Sequence, residues 1–301
     1  MLDRVPTLSE RVHLGCRALD VIDDVQGARV PARVLYATDA APRAEAFGPY
    51  AIDVAIDGPV VGRELPLVVI SHGTGGTPWG YRGIAEHLVR AGFAVAMIEH
   101  PGNTRGDDAL AGTAANLANR PRHVRRVIDA AVADSHVRAH LRADRVAVIG
   151  HSLGGYTALA VAGGRPMSLP NQAPDGVARP VDVTPDPRVR AVVLLAPALP
   201  WFMVDGALDE VRAPVMVRTG ECDDVSPPAF VERVLRGLPP TTSLDHEVVA
   251  GAGHFLCFWP VPPALTAAKL PPAIDPPGFD RGAYQPRLRA DLTAFLSAAL
   301  A

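Results

Sequence analysis

VAVIGHSLGGYTALAV, residues 146–161, is the stretch whose reading decides the fold. VAVI (146–149) is a short apolar run of the kind that forms a strand buried on both faces. The small residues beyond it are expected to form a helix over 154–162. Between the two lies Gly150-His151-Ser152-Leu153-Gly154, the single G-x-S-x-G in the chain. A serine at the apex of so tight a strand-to-helix turn is held in strained backbone, and the residues two places away must lack side chains. The helix points its N-terminus at the serine, where it favours developing negative charge. Ser152 is therefore the candidate nucleophile, and His151, adjacent on the turn, is expected to point away from it.

The strand–helix unit recurs on either side. Strands are expected at 65–71 (LPLVVIS), 93–98, 145–150, 189–195, 213–218 and 246–249. Helices are expected at 81–91, 122–134, 154–162, 228–235 and 285–300. Such alternation is the signature of an α/β fold with a mainly parallel central sheet and helices on both faces. Two earlier strands, 28–36 and 50–56, have no helix between them and are expected to form an antiparallel N-terminal edge. Two proline-rich stretches, 163–187 and 260–278, interrupt the rhythm and are expected to be lid or pocket loops. One domain spanning 1–301 accounts for the whole pattern.

Composition excludes several classes of function. The 301 residues are 48% apolar and 20% charged, with a net charge of −3. That is a globular composition without the basic field that draws in nucleic acid. Three scattered cysteines, Cys16, Cys222 and Cys257, make neither a disulfide framework nor a thiolate metal site, and Cys257 is expected to be a buried filler. The longest apolar stretch, 191–204, is shorter than the roughly 20 residues of a membrane span. Residues 1–16 carry no apolar core of a signal peptide, so a cytoplasmic location is expected. Arg120, Arg122, Arg125 and Arg126 are expected to form a solvated helix face.

A serine hydroxyl is a poor nucleophile unless a general base lies within hydrogen-bond reach and an acidic group orients that base. Only His246 and His254 follow Ser152. His246 lies in a strand, whereas His254 lies in the small-residue loop GAGHF (251–255), and loops at strand ends carry the chemistry of open parallel sheets. His254 is therefore favoured as the base. The acid is expected in TGECDDVSP (219–227), where Asp223 is favoured over Asp224. An oxyanion needs backbone N–H donors, which Leu153 and Thr74 of SHGTGG (71–76) are positioned to supply. That glycine-rich loop lacks the lysine of a phosphate-binding loop. Trp79, Tyr81, His100, Trp201, Phe202 and Phe255 fall near strand ends and are expected to line an apolar substrate pocket.

With PLVVISHGTGG (66–76), EHPGNT (99–104), GHSLGG (150–155), TGECDDVSP, GAGHF and DPPGFDR (275–281) in place, the chain resembles the bacterial dienelactone-hydrolase-like proteins related to platelet-activating-factor acetylhydrolase. The resemblance runs from about residue 49 to the C-terminus. It implies an α/β-hydrolase fold, a Ser–Asp–His triad at Ser152, Asp223 and His254, and hydrolysis of a small-molecule ester without metal or other cofactor. Dienelactone hydrolases proper use cysteine where this chain has Ser152, so opening of a dienelactone is not implied. Two other readings stay open: the same triad acting on an amide, imide, lactone or polymer ester, and a ligand-binding protein without turnover.

Overall fold

A computed structural model of the chain describes residues 12–173 and 175–301. The absence of a leader expected from residues 1–16 falls mostly on residues 1–11, outside that description. In chain order the elements are β1 (His13–Leu19), a short hairpin of β2 (Ile22–Asp23) and β3 (Ala28–Arg29), β4 (Ala32–Thr38), β5 (Arg43–Phe47), β6 (Tyr50–Ile56) and β7 (Leu65–Ser71). Then follow α1 (Arg82–Arg90), β8 (Ala94–Ile98), α2 (Ala114–Ala133), β9 (Leu141–His151), α3 (Leu153–Val161), β10 (Val189–Leu195) and β11 (Val215–Gly220). The chain closes with α4 (Pro228–Leu235), β12 (Leu244–Val249), α5 (Pro263–Ala267) and α6 (Arg281–Ala299).

Ten strands form one sheet in the order β12-β11-β10-β9-β7-β8-β4-β1-β6-β5. The six from β12 to β8 run parallel, as the continuous apolar runs imply. Alternate residues of the same strand enter two separate cores. Leu67, Val69, Val146 and Val148 face α2 and α3, while Val68, Ile70, Ala147 and Ile149 face α1 and α6. Each sheet face is thereby sealed by helices, which is why these strands lack polar alternation.

The N-terminal edge differs from the expectation in its pairing. β4 and β6 are not neighbours, because β1 lies between them, antiparallel to β4 and parallel to β6. Gly15 obscures β1 in the sequence, and the structure explains it: a Cβ there would lie 2.2 Å from the Tyr36 ring. β5 (RAEAF) reads as a polar loop because it is the outermost, solvent-facing strand, where charged side chains guard an open edge.

Helix α2 begins two turns earlier than expected. Thr113 caps it, its hydroxyl accepting from Asn116 N at 3.1 Å. Pro121 inside the helix cannot donate to the Leu117 carbonyl. The Tyr156 hydroxyl donates to that carbonyl instead, at 3.0 Å, and so tolerates the proline and ties α2 to α3. Among the described residues no helix is long and apolar enough to cross a membrane, and no group of His, Cys, Asp and Glu could hold a metal ion.

Candidate active site

Ser152 joins β9 to α3 with φ 54° and ψ −121°, a conformation that costs a non-glycine residue energy and persists only where its surroundings enforce it. The enforcement is visible. Ser152 N donates to Leu195 O at 3.1 Å, and Ala198 N donates to Ser152 O at 2.9 Å. A Cβ on Gly150 would lie 2.0 Å from Gly154 O, and one on Gly154 would lie 2.0 Å from Ser71 O. Both glycines are therefore required by the contact of the turn with itself and with the end of β7.

The loop after β11 carries Asp223, and the loop after β12 carries His254. His254 Nδ1 donates to Asp223 Oδ2 at 2.9 Å. Asp223 Oδ1 also accepts from Val225 N at 2.9 Å and Ser226 N at 2.8 Å. Burial raises the pKa of Asp223, but the His254 contact and the two N–H donors outweigh it and hold the carboxyl below its usual range. Asp224 is exposed, and His246 lies on β12 against Thr219 Oγ1 at 3.2 Å. The structure thus pairs Asp223, not Asp224, with His254, not His246.

Ser152, His254, Leu153 and Thr74 border one cavity of about 440 Å³. The loop at 71–76, expected to supply the second oxyanion donor, is fixed from beneath. His72 Nδ1 lies 2.7 Å from Gly73 O, and His72 Nε2 accepts from His100 N at 3.2 Å, so Nδ1 carries the proton and donates to that carbonyl. Gly76 N donates to the same oxygen at 3.2 Å. A trans peptide projects its N–H opposite its C=O, so the Thr74 N–H is directed away from His72.

Below the loop lies a layer that the sequence reading missed. Arg120 is fully buried rather than part of a solvated face. It donates from Nε to Thr157 Oγ1 at 3.0 Å and from its terminal nitrogens to Asn103 Oδ1 at 2.7 Å, to Ser71 Oγ at 3.3 Å and to His72 O. Arg122 binds Asp23 and Arg126 binds Asp24, so these two are also paired. His100 does not line the cavity but is wholly buried in this layer, between Ser71 Oγ at 2.9 Å and His123 Nδ1 at 3.2 Å. His123 Nε2 faces Gln26 Oε1 at 2.6 Å and Asp23, which accept only, so each ring here has one donor and one acceptor nitrogen. Burial, reinforced by the Arg120 charge, pushes His72 down to about 3 and His100 well below its usual value.

His151 lines the same cavity as Ser152, but both its ring nitrogens are engaged elsewhere and give it a structural task. Its Nε2 donates to the His254 carbonyl at 2.9 Å, and its Nδ1 accepts from the Tyr81 hydroxyl at 2.7 Å. The serine turn thereby holds the backbone of the histidine loop.

Of the other expected pocket residues, Tyr81, Trp201 and Phe255 line the cavity. Trp201 is steadied by Nε1 donating to Gln172 Oε1 at 2.8 Å, a contact from the 163–187 loop. Trp79 does not line it; its ring stacks on Phe47 at 3.6 Å, facing away. Phe202 also turns inward, packing on Tyr156 at 5.5 Å. Tyr50, Arg105 and Val225 were missed, as were Leu265, Leu270 and Pro272 of the 260–278 loop. Arg105 had a signal, since it follows EHPGNT directly, and its N–H donates to Gly76 O at 2.8 Å. Cys257 is buried and its thiol pushed up to about 12 by that burial, so it is a filler and not a second nucleophile. A larger surface groove of about 710 Å³ lies at the opposite ends of β10 and β11 and holds none of the candidate residues.

Residues 66–213 match the family model described as the alpha/beta hydrolase fold. Cutinase 2 of Thermobifida cellulosilytica is 27% identical over 191 residues, which cover 62% of this chain. The chain spans 60% of that relative's length. Among solved structures, the ferulic acid esterase of Streptomyces cinnamoneus superposes with a TM-score of 0.69 at 19% identity, over 96% of this chain and 91% of that one. The dienelactone hydrolase of Anabaena variabilis superposes with a TM-score of 0.56 at 18% identity, over 97% of this chain and 100% of that one. What these solved structures share with the chain is the fold, and the expected likeness to dienelactone hydrolases reappears at that level.

Proposed function

On the α/β-hydrolase fold that this chain adopts, we propose a serine hydrolase that cleaves carboxylic esters through an acyl-enzyme. Ser152 Oγ attacks the ester carbonyl while His254 Nε2 takes its proton. Asp223 keeps the His254 proton on Nδ1 and stabilises the imidazolium without taking the proton itself. The Leu153 and Thr74 N–H groups receive the oxyanion. His254 then protonates the departing alcohol, and a water activated by the same nitrogen releases the acid. Side chains and backbone supply every group in this sequence, so it requires no metal or cofactor.

The observation that carries the reading is the buried Asp223–His254 hydrogen bond of 2.9 Å opening on the same cavity as Ser152 at φ 54°. Esters are favoured because a cutinase and a ferulic acid esterase are among the similar proteins. Ser152→Ala is expected to lose turnover of p-nitrophenyl acetate with an unchanged melting temperature. Retained turnover removes Ser152 from the reaction. Faster cleavage of a matched anilide than of the ester replaces the ester with an amide.

A further inference from the structure

The cavity over Ser152 adjoins a second one of about 340 Å³, and Ala198 and Val225 line both. These two residues belong to the backbone that shapes the site. Ala198 N holds the Ser152 carbonyl at 2.9 Å, and Val225 N holds Asp223 Oδ1 at 2.9 Å. The boundary between the two cavities is thus formed by Ala198, from the segment after β10, and Val225, from the turn that carries Asp223.

The second cavity is a groove between the segment after β10 and the start of α4. Leu199, Pro200, Met203, Pro227, Phe230 and Val234 lie along it, and among the described residues its lining carries no charged side chain. Helix α4 buries Val231, Val234 and Leu235 against the core, so it needs nothing more from Phe230. Yet Phe230 is 62% exposed, Val225 62% and Met203 38%. Single exposed apolar residues are ordinary, but three on one groove beside the candidate reaction site call for an apolar occupant.

We propose that this groove is a subsite for one uncharged, extended apolar arm of the substrate, aliphatic or aromatic, whose ester carbonyl sits at Ser152. The inference rests on the esterase reading above and adds the substrate class. It also separates the roles of the two cavities. The bond is broken in the first, and the arm that passes Val225 is held in the second. Full burial of a methylene favours binding about fourfold, and a groove open on one side is expected to return about twofold for each.

The test uses two ester series on the full chain. In one, p-nitrophenyl esters lengthen from acetate to decanoate; in the other, acetate esters carry alcohols of the same lengths. One series is expected to show kcat/KM rising about twofold per methylene once the arm passes Val225. Phe230→Asp places a charge in the groove away from the reacting groups. It is expected to flatten that rise and lower the longest substrate more than tenfold, with acetate turnover within twofold of wild type. Phe230→Leu is expected to keep the rise. The proposal is overturned if neither series rises, or if the rise survives Phe230→Asp. It is also overturned if Phe230→Asp changes only the molecular mass in solution, because the groove then joins copies of the chain. Wild-type protein that cannot cleave the acetates would instead refute the esterase reading, and the subsite would fall with it.

Discussion

Mild acid is expected to destabilise this protein well above the pH at which its carboxylates titrate. Burial holds His72 and His151 down to about 3, His123 down to about 4, and His100 well below its usual value. The geometry agrees, since each ring uses one nitrogen to donate and the other to accept, and a second ring proton would face a donor. The sign follows from proton binding. These rings stay neutral in the folded chain but titrate near 6.5 when it unfolds, so below that pH the unfolded state binds more protons and stability falls with pH. Each such group contributes about 1.4 kcal/mol per pH unit once the pH is below 6.5. For four groups, moving from pH 8 to 5.5 removes roughly 5 kcal/mol, against a typical total of about 5–15 kcal/mol. Asp23, Asp186 and Asp223 have lowered pKa values, so their stabilisation is lost only below about pH 4 and does not offset this. Urea unfolding at constant ionic strength, repeated between pH 8 and 5, measures the effect. Near pH 5.5 the slope should correspond to between three and four protons taken up on unfolding. His123→Gln should lower it by about one. A slope below one proton would show that these rings titrate freely in the fold, and the buried layer beneath the 71–76 loop would be wrong.

Three substitutions probe other parts of the site. Gly154→Ala drives a methyl to 2.0 Å from Ser71 O, so β7 and α3 must separate; a loss of about 3 kcal/mol in urea unfolding is expected, at the upper end of overpacking costs. Asp223→Asn should lower kcat by about 10⁴ through the wrong His254 tautomer, with far-ultraviolet circular dichroism unchanged. Arg120→Met leaves the His72 carbonyl and Asn103 Oδ1 without their donor. Two stranded buried acceptors should cost roughly 2–6 kcal/mol, read as a fall in melting temperature.

The parts of this molecule that could be read from its residues are those with local causes. β7, β10 and residues 146–149 of β9 are short apolar runs because both sheet faces are covered, and a serine between two glycines marks a turn that only one backbone shape satisfies. Asp223 and His254 follow from chain order and from their loops. β1 and β5 were hidden because Gly15 serves the Tyr36 ring and β5 serves an open edge, and neither is a hydrophobic task. Arg120 defeats a reading by charge pattern, since its partners come from segments near residues 71, 103 and 157 and are mostly hydroxyls and carbonyls. Trp79, His100 and Phe202 lie near strand ends as supposed but turn the wrong way. A side chain's direction at a strand end depends on the neighbouring element, here Phe47, His123 and Tyr156.

The most direct test of the proposed reaction is labelling with a fluorophosphonate followed by peptide mapping, because the probe needs an activated serine and no knowledge of the substrate. A single adduct on Ser152, lost in His254→Ala, is the expected result. A folded protein that takes no label at Ser152, or that labels equally well without His254, would contradict the triad.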